Sequence, residues 1–474
     1  MSGTPTVTLA RGDGIGPEIT DAVLTILDAA DADLAYEEIQ IGESQLLAGH
    51  KSGIAPDTWT VIRKNPVFLK APITTPLGGG YKSLNVTIRK SLNLFANVRP
   101  TRSYAPFVPC VFPKMNLVIV RENEEDLYAG IEHQQTEEVT QVLKLITRPG
   151  TERIVRYAFE YARAHGRKHV TCMTKNNIMK HTDGLFARVF QEIAAEYDDI
   201  GRDHQIIDIG AARVAAQPDA FDVIVTLNLY GDILSDIASQ VAGSVGLAGS
   251  ANVGEHVSMF EAVHGSAPDI AGKNLANPSG LLAGAIQMLV HLGQFDVAER
   301  VENAWLATLE AGVHTGDLHH ESRSTKLVGT HEFARAVADR MGEGPATLQA
   351  ARYDGAALTV PSGTPAPHTG NKSLQGVDAF IDWRGASRDP NIIGKGLEAA
   401  SNGWRLKMIT NRGVKVYPGG IPETFCTDHW RCRFLPLEGA SVTNRDIITL
   451  LQDLHEAGYD VIKTENLYNF GGAR

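Results

Sequence analysis

Thr6-Val7-Thr8-Leu9-Ala10, running into Arg11-Gly12-Asp13-Gly14-Ile15-Gly16-Pro17, is the stretch on which the reading of the fold turns. The β-branched, apolar run reads as a strand, the glycines as a turn, and Pro17 as the first position of a helix, where its fixed φ and missing N–H cost nothing. Strand, tight turn and helix in that order begin an α/β unit. The same turn invites comparison with the dinucleotide fingerprint, yet the full glycine spacing and the later ribose-binding acid are not evident, so a Rossmann assignment is rejected. Working outward, further strands are expected at 67–70, 117–120, 169–173 and 223–227, separated by helical patterns at 152–165 and 184–197. A largely parallel sheet flanked by helices follows.

Between Gly342 and Gly376 the chain turns rich in Gly, Pro, Ala, Ser and Thr, including Pro361-Ser362-Gly363-Thr364-Pro365-Ala366-Pro367, which reads as a linker. Beyond it a small α+β module is expected, with strands near 377–383, 404–409 and 430–435 and helices near 392–400 and 444–457. With 474 residues the chain is long enough for two or three domains. No uninterrupted apolar run is long enough to span a bilayer, and a formal net charge of -11 opposes general attraction to nucleic acid or anionic lipid. A basic site for an anionic substrate must therefore be local. Four cysteines, Cys110, Cys172, Cys426 and Cys432, lack CxxC spacing and suit a reducing compartment. The strand-like start leaves no room for a signal or transit peptide, and a prokaryotic cytoplasmic location is expected.

Asp232 and Asp236 stand four apart at the start of a helical segment, so their carboxylates can share one face, an arrangement that suits a hard divalent cation such as Mg²⁺ or Mn²⁺. Asp232 as a simple helix cap and Asp236 on a solvated face is the competing reading. Ser83 and Asn85 precede an amphipathic stretch carrying Arg89, while Arg99 and Arg121 each follow an apolar run. Three guanidinium forks and a helix N-terminus together fit a polycarboxylate, although each arginine alone also fits a surface ion pair. Tyr128 and Lys175 are each unremarkable alone, although a tyrosine acid and a desolvated lysine base together suit a hydroxyl proton and an enolate. The loop from Glu261 through His264, Gly265, Ser266, Ala267, Pro268, Asp269, Ile270 and Gly272 carries a carboxylate able to accept ribose hydroxyls, or else is an ordinary surface turn. Cys426, His429 and Cys432 lack a fourth ligand and are read as ordinary packing.

Taken in order, Gly12-Asp13-Gly14-Ile15-Gly16-Pro17-Glu18, Arg121-Glu122-Asn123 with Asp126-Leu127-Tyr128-Ala129-Gly130, Asn228-Leu229-Tyr230-Gly231-Asp232 with Ser235-Asp236, and the His264–Gly272 loop with Asn277-Pro278 resemble the β-decarboxylating dehydrogenases, the isocitrate and isopropylmalate dehydrogenase family, across residues 5–342. The resemblance implies a non-Rossmann α/β fold of two domains. The large cofactor domain would be discontinuous, residues 1–94 and 243–344, around a small domain at 95–242 with a clasp-like segment near 126–147. The linker would then span 345–376 and the small C-terminal α+β domain 377–474, which resembles the appendage of longer bacterial isocitrate dehydrogenases. An assembly role is expected for that appendage.

Within the family, Ser83 and Asn85 resemble the isocitrate enzymes, because isopropylmalate enzymes carry apolar residues there. The resemblance assigns Arg89, Arg99 and Arg121 to substrate carboxylates, Tyr128 to proton donation, Asp208, Asp232 and Asp236 to the metal, and Lys175 to the hydroxyl proton. Asp208 and Lys175 would come from the partner subunit of a homodimer or larger homo-oligomer. Thr75, Glu261, the 264–270 loop and Asn277 would hold the cofactor. Asp269-Ile270 stands where NADP-dependent relatives carry Lys-Tyr, with Gly316 and His320 replacing phosphate-binding residues. An aspartate accepts from ribose hydroxyls and repels a 2′-phosphate, so NAD is expected in preference to NADP. The alternatives are a related enzyme of isopropylmalate, homoisocitrate or tartrate, and a non-catalytic regulatory subunit.

Overall fold

A computed structural model describes residues 3–50, 52–74, 83–353, 358, 371–385 and 387–471. Most of the glycine- and proline-rich linker, and Thr75, lie outside the described residues. The chain forms two compact units, residues 1–129 with 144–364, and residues 130–143 with 365–474.

The first unit is built on a ten-stranded sheet in the order Ala35–Ile39, Thr6–Ala10, Val67–Lys70, Ser258–Ala262, Gly249–Val253, Ala96–Arg102, Asn116–Glu122, Val223–Thr226, His169–Thr174 and Gly201–Ile206. Both flanks pair in parallel, as the strand-and-helix alternation predicts. The centre differs. Gly249–Val253 runs antiparallel to both of its neighbours, and Ala96–Arg102 runs antiparallel to Asn116–Glu122. The short connection 254–257 between two buried strands leaves no length for a crossover helix, so that pair must form a hairpin. The antiparallel centre separates this sheet from the mostly parallel doubly wound dinucleotide fold that the opening turn invites.

Helices cover the sheet because their apolar positions recur on one stripe. Arg148–Ala164, capped by the Thr147 hydroxyl on the Gly150 N–H, buries Ile154, Val155, Ala158, Phe159 and Ala162. Thr182–Ala194 answers with Phe186, Val189, Phe190 and Ile193, and Phe159 packs on Phe190 and Tyr197 at 5.7 and 4.7 Å between ring centroids. Among the described residues no helix is long and apolar enough to cross a membrane.

The glycine turn is a clamp. Gly12 and Gly14 both have positive φ, at 65° and 58°. The Asp13 N–H reaches the Pro72 carbonyl at 2.8 Å, the Ile15 N–H reaches the Ser266 carbonyl at 2.9 Å, and the Asp13 carboxylate accepts from the Thr74 N–H at 2.8 Å. Three loops leaving the ends of the Thr6–Ala10, Val67–Lys70 and Ser258–Ala262 strands are thereby tied together.

In the second unit, five antiparallel strands lie in the order Val414–Tyr417, Trp404–Asn411, His429–Pro436, Ser373–Asp382 and Asp460–Asn469. Ile393 and Leu397 of the helix Pro390–Ala400, and Ile447, Leu450 and Leu454 of Asn444–Glu456, share a core with Val377, Ala379, Ile381, Trp430, Cys432 and Phe434. The hairpin Glu132–Gln134 with Thr140–Val142 belongs to this unit. Its turn is held by Glu137 to Arg384 at 2.7 Å, Glu138 to Arg388 at 2.6 Å, and the Thr136 hydroxyl donating to Asp428 at 2.5 Å.

A Cβ at Gly14 would meet the Ser266 carbonyl oxygen at 2.0 Å, in backbone space that side chains rarely adopt. Gly14→Ala is expected to lower stability by about 1–3 kcal/mol, read from the denaturant midpoint. An unshifted midpoint would show that the turn relaxes freely.

Candidate active site

The strand ends that the glycine turn ties together also carry buried charge. Asn97 and Arg99 lie two apart on Ala96–Arg102 and so face one side, and Arg121 stands in register opposite Asn97 on the next strand. The helix Asn228–Ala242 starts two residues after the strand Val223–Thr226 and brings Asp232 against them. Arg121 contacts the Asp232 carboxylate at 2.5 Å and Arg99 at 3.4 Å, while the Tyr128 hydroxyl donates to its second oxygen at 2.5 Å. The Arg121 guanidinium lies 4.8 Å from the centre of the Tyr128 ring and is anchored on Asn228.

Positive charge is in surplus here. Burial, together with Arg99 and Arg89, presses the Arg121 guanidinium down to about 9 despite Asp232. Arg99 is likewise lowered, first by burial and then by Arg89. Burial works to raise Asp232, but Arg121, Arg99 and the Tyr128 hydroxyl outweigh it and the carboxyl is lowered. Tyr128 is raised by burial and by its bond to Asp232, so its proton is firmly held. Two arginines side by side in a low-dielectric pocket call for an anion.

The helix Leu84–Ser91 approaches from the other side. Ser83 caps it, accepting weakly from the Val86 N–H at 3.4 Å. Asn85 Oδ1 and Arg89 Nε are buried without a partner, one turn apart. Arg89 Nη2 reaches Glu261 at 2.9 Å, and Lys70, 1% exposed, reaches the other Glu261 oxygen at 2.7 Å. Burial opposes the Glu261 charge, yet Lys70 and Arg89 hold its carboxyl well below the ordinary range.

Ser83, Asn85, Arg89, Arg99, Arg121, Tyr128, Asp232 and Glu261 are thus brought to one region. Asp236 stands one turn beyond Asp232, exposed and without a hydrogen bond among the described residues. Its carboxyl is raised by burial and by Asp232, against Arg99. A carboxylate pair whose outer member has no bonded partner fits a divalent cation. Lys175 and Asp208 pair with each other at 2.9 Å, and among the described residues no hydrogen bond or ion pair joins them to Asp232 within the chain. Nor do three His, Cys, Asp or Glu side chains gather as a cage among those residues.

The 264–270 loop lies beside the glycine turn, with the Ser266 hydroxyl 2.7 Å from that of Thr74. Ala267 adopts φ 38° ahead of the short helical turn Pro268–Ile270, and Gly265 and Asp269 are exposed. His264 Nε2 is buried without a partner, and burial lowers the imidazole. Asn277 is fixed by Asp317, beside Gly316, at 3.0 Å. His320 bonds to the Ser322 hydroxyl at 2.8 Å.

Several buried charged and polar residues at or near this region escaped the sequence reading. Lys144 bridges the fully buried Asp126 and Asp183 at 3.0 Å each, and Asp183 accepts from the Lys175 N–H and from Tyr230. Lys70, Asn97 and Asn252 escaped as well, although a polar residue inside an apolar strand is itself a signal.

Residues 6–337 match the family model described as isocitrate/isopropylmalate dehydrogenase, and residues 372–474 match that of the bacterial isocitrate dehydrogenase C-terminal domain. An isocitrate dehydrogenase [NADP] of Rickettsia bellii is 52% identical over 98% of this chain and 97% of its own. One from Thermus thermophilus is 45% identical over 99% and 94%. Among solved structures, a Thermus thermophilus protein superposes with a TM-score of 0.91 at 45% identity, over 98% of this chain and 94% of its own. The isocitrate dehydrogenase of Methylococcus capsulatus gives 0.67 at 44% identity, over 71% and 99%.

These relatives overturn the expectation of NAD, since those matched over nearly the whole chain are named for NADP. That expectation weighed Asp269-Ile270 together with Gly316 and His320, and omitted the cation of Lys273. Lys273 folds back over the same turn, its ammonium donating to the Asp269 carbonyl oxygen at 2.7 Å. The local charge is not set by Asp269 alone.

Glu261→Gln leaves Lys70 and Arg89 buried without their counter-ion and is expected to cost about 3–5 kcal/mol in chemical denaturation near neutral pH. Because the folded carboxyl is depressed, its contribution is complete above the unfolded value of about 4.3 and disappears only as pH falls through the lower folded one. A variant as stable as wild type would show the pair of cations already neutral.

Proposed function

Because the chain belongs to the isocitrate/isopropylmalate dehydrogenase family, in the long form shared with bacterial isocitrate dehydrogenases, we propose that it oxidises and decarboxylates isocitrate to 2-oxoglutarate and CO₂ with reduction of NADP. The observation that carries the substrate is the surplus of buried guanidinium charge, with Arg121 pressed down to about 9 beside the unpartnered Asn85 Oδ1 and Arg89 Nε. Isocitrate brings three carboxylates for Arg89, Arg99 and Arg121, and its extra carboxylate is the group that Ser83 and Asn85 can bond. An isopropyl group would leave those polar atoms unpaired, at about 1–3 kcal/mol each.

The residues then divide the work. The arginines bind and orient the substrate, so that its hydroxyl-bearing carbon faces the loops at 72–74 and 264–270 that take the dinucleotide. Lys175 of a second copy accepts the hydroxyl proton as the C–H bond delivers its hydride to the nicotinamide. The neighbouring carboxylate leaves as CO₂, its bonding electrons remain on the substrate as an enolate, and Tyr128 returns a proton to carbon. Asp232 and Asp236, with Asp208 of that second copy, would hold Mg²⁺ or Mn²⁺, which when bound supplies Lewis-acid stabilisation of developing oxygen charge. A homodimer in the cytoplasm, each site completed by both copies, is the assembly this reading requires. What supports it is that Lys175 and Asp208 pair with each other and, among the described residues, make no hydrogen bond or ion pair with Asp232 within one chain. Lys273 offers the 2′-phosphate a cation.

Measured with isocitrate and Mg²⁺, kcat/KM is expected to be higher with NADP than with NAD, and the reverse order sinks the cofactor assignment. Asp236→Asn should raise the Mg²⁺ concentration for half activity by roughly 10–100-fold. Mixing inactive Lys175→Met with inactive Tyr128→Phe chains should restore activity in verified heterodimers, since one of their two sites then draws both wild-type groups. Heterodimers that stay inactive count against the shared site.

A further inference from the structure

Two buried asparagines join the charged halves of the site. Asn97 and Asn252 face each other across antiparallel strands and neither is exposed to solvent. Arg99 Nε donates to Asn97 Oδ1 at 2.5 Å, Asn97 Nδ2 donates to Asn252 Oδ1 at 2.7 Å, and Asn252 Nδ2 donates to Glu261 Oε1 at 2.8 Å. Asn123 Nδ2 also donates to Asn252 Oδ1, at 3.1 Å. Each amide has its oxygen toward the guanidinium and its nitrogen toward the carboxylate. The two dipoles therefore run head to tail from a cation to an anion, and each bond polarises the next. Neither side chain can flip without setting N–H against N–H at one end and oxygen against oxygen at the other.

The consequence falls on Arg99. Its Nε is committed to Asn97 and its Nη1 to Ser235 at 2.5 Å and to Asp232, leaving Nη2 with no hydrogen bond among the described residues. Glu261, at the far end, is pinned by Lys70 and Arg89. We propose that Asn97 and Asn252 are positioning residues: they fix the plane of the Arg99 guanidinium from the Glu261 side, so that the group presented to the substrate is aligned with the dinucleotide half of the site. This rests on the assignment of Arg99 to a substrate carboxylate.

Asn97→Asp and Asn252→Asp preserve volume while breaking the chain at one bond, because each replaces the donating amide by an acceptor. Both variants are expected to raise the isocitrate KM by about tenfold or more, with kcat changed by less than about threefold. The double variant should be no worse than the poorer single one, since a chain already broken has nothing further to lose. If the chain also links the two halves of the site, isocitrate Kd measured by calorimetry should respond to NADP in the wild type and respond less in either variant. A wild-type protein that does not oxidise isocitrate would sink the functional reading itself. An active wild type whose folded variants keep its isocitrate KM, or whose defects multiply in the double variant, overturns the positioning role alone. Should the aspartate variants fail to fold, Asn97→Ser and Asn252→Ser must reproduce the KM-against-kcat split, and its absence also overturns the proposal.

Discussion

The hardest constraint on this molecule is the burial of Lys70, Arg89, Arg99 and Arg121 around one region of a sheet. An unpaired buried cation costs several kcal/mol, so the fold has to deliver carboxylates to the same place. Glu261 meets Lys70 and Arg89, and Asp232 meets Arg99 and Arg121. Compensation is incomplete, because these four cations share only the two carboxylates of Glu261 and Asp232. A stability-optimised core would not keep that imbalance, and a site that waits for an anion would.

Sheet topology makes this gathering workable. Lys70, Glu261 and Arg121 sit at or next to the C-terminal ends of their strands, and the helix bearing Asp232 leaves the end of another. The three antiparallel pairings at the centre bring Ala96–Arg102 through the same region in the opposite sense, so Asn97 and Arg99 enter along the middle of a strand. Side chains held by strand pairing on both sides move little, which suits groups that set geometry. The 264–270 loop and the segment at 72–74 are fastened to the glycine turn at the neighbouring strand ends instead.

What the sequence discloses follows from locality. Val67–Lys70 and Trp404–Asn411 announce themselves by β-branched and apolar runs, and the helix Asn444–Glu456 by its capping threonine and apolar stripe. The ordered motifs place Arg121, Tyr128 and Asp232, which the structure does bring together. Pairings across distance are silent. Glu137 and Arg384 are 247 positions apart, so nothing local told that the hairpin after Tyr128 belongs with the C-terminal strands. Lys70 read as the tail of an apolar strand, and its value appears only once Ser258–Ala262 lies alongside. The cofactor misreading has the same origin, because Asp269 was weighed without the lysine that its turn folds back over it.

Lys144 ties the main chain beside Tyr128 to the main chain at Lys175. It is held between Asp126 and Asp183, both fully buried, and each carboxylate is also bonded to backbone. Asp126 accepts from the Leu229 N–H, in the first turn of the helix that bears Asp232, and itself lies two residues before Tyr128. Asp183 accepts from the Lys175 N–H. One ammonium thus fixes the main chain beside Tyr128 and the main chain at Lys175, although among the described residues no hydrogen bond joins those two side chains within the chain. Two carboxylates on one buried cation are tolerable only while both remain bonded, so neither segment can shift without exposing a charge that the other then has to carry.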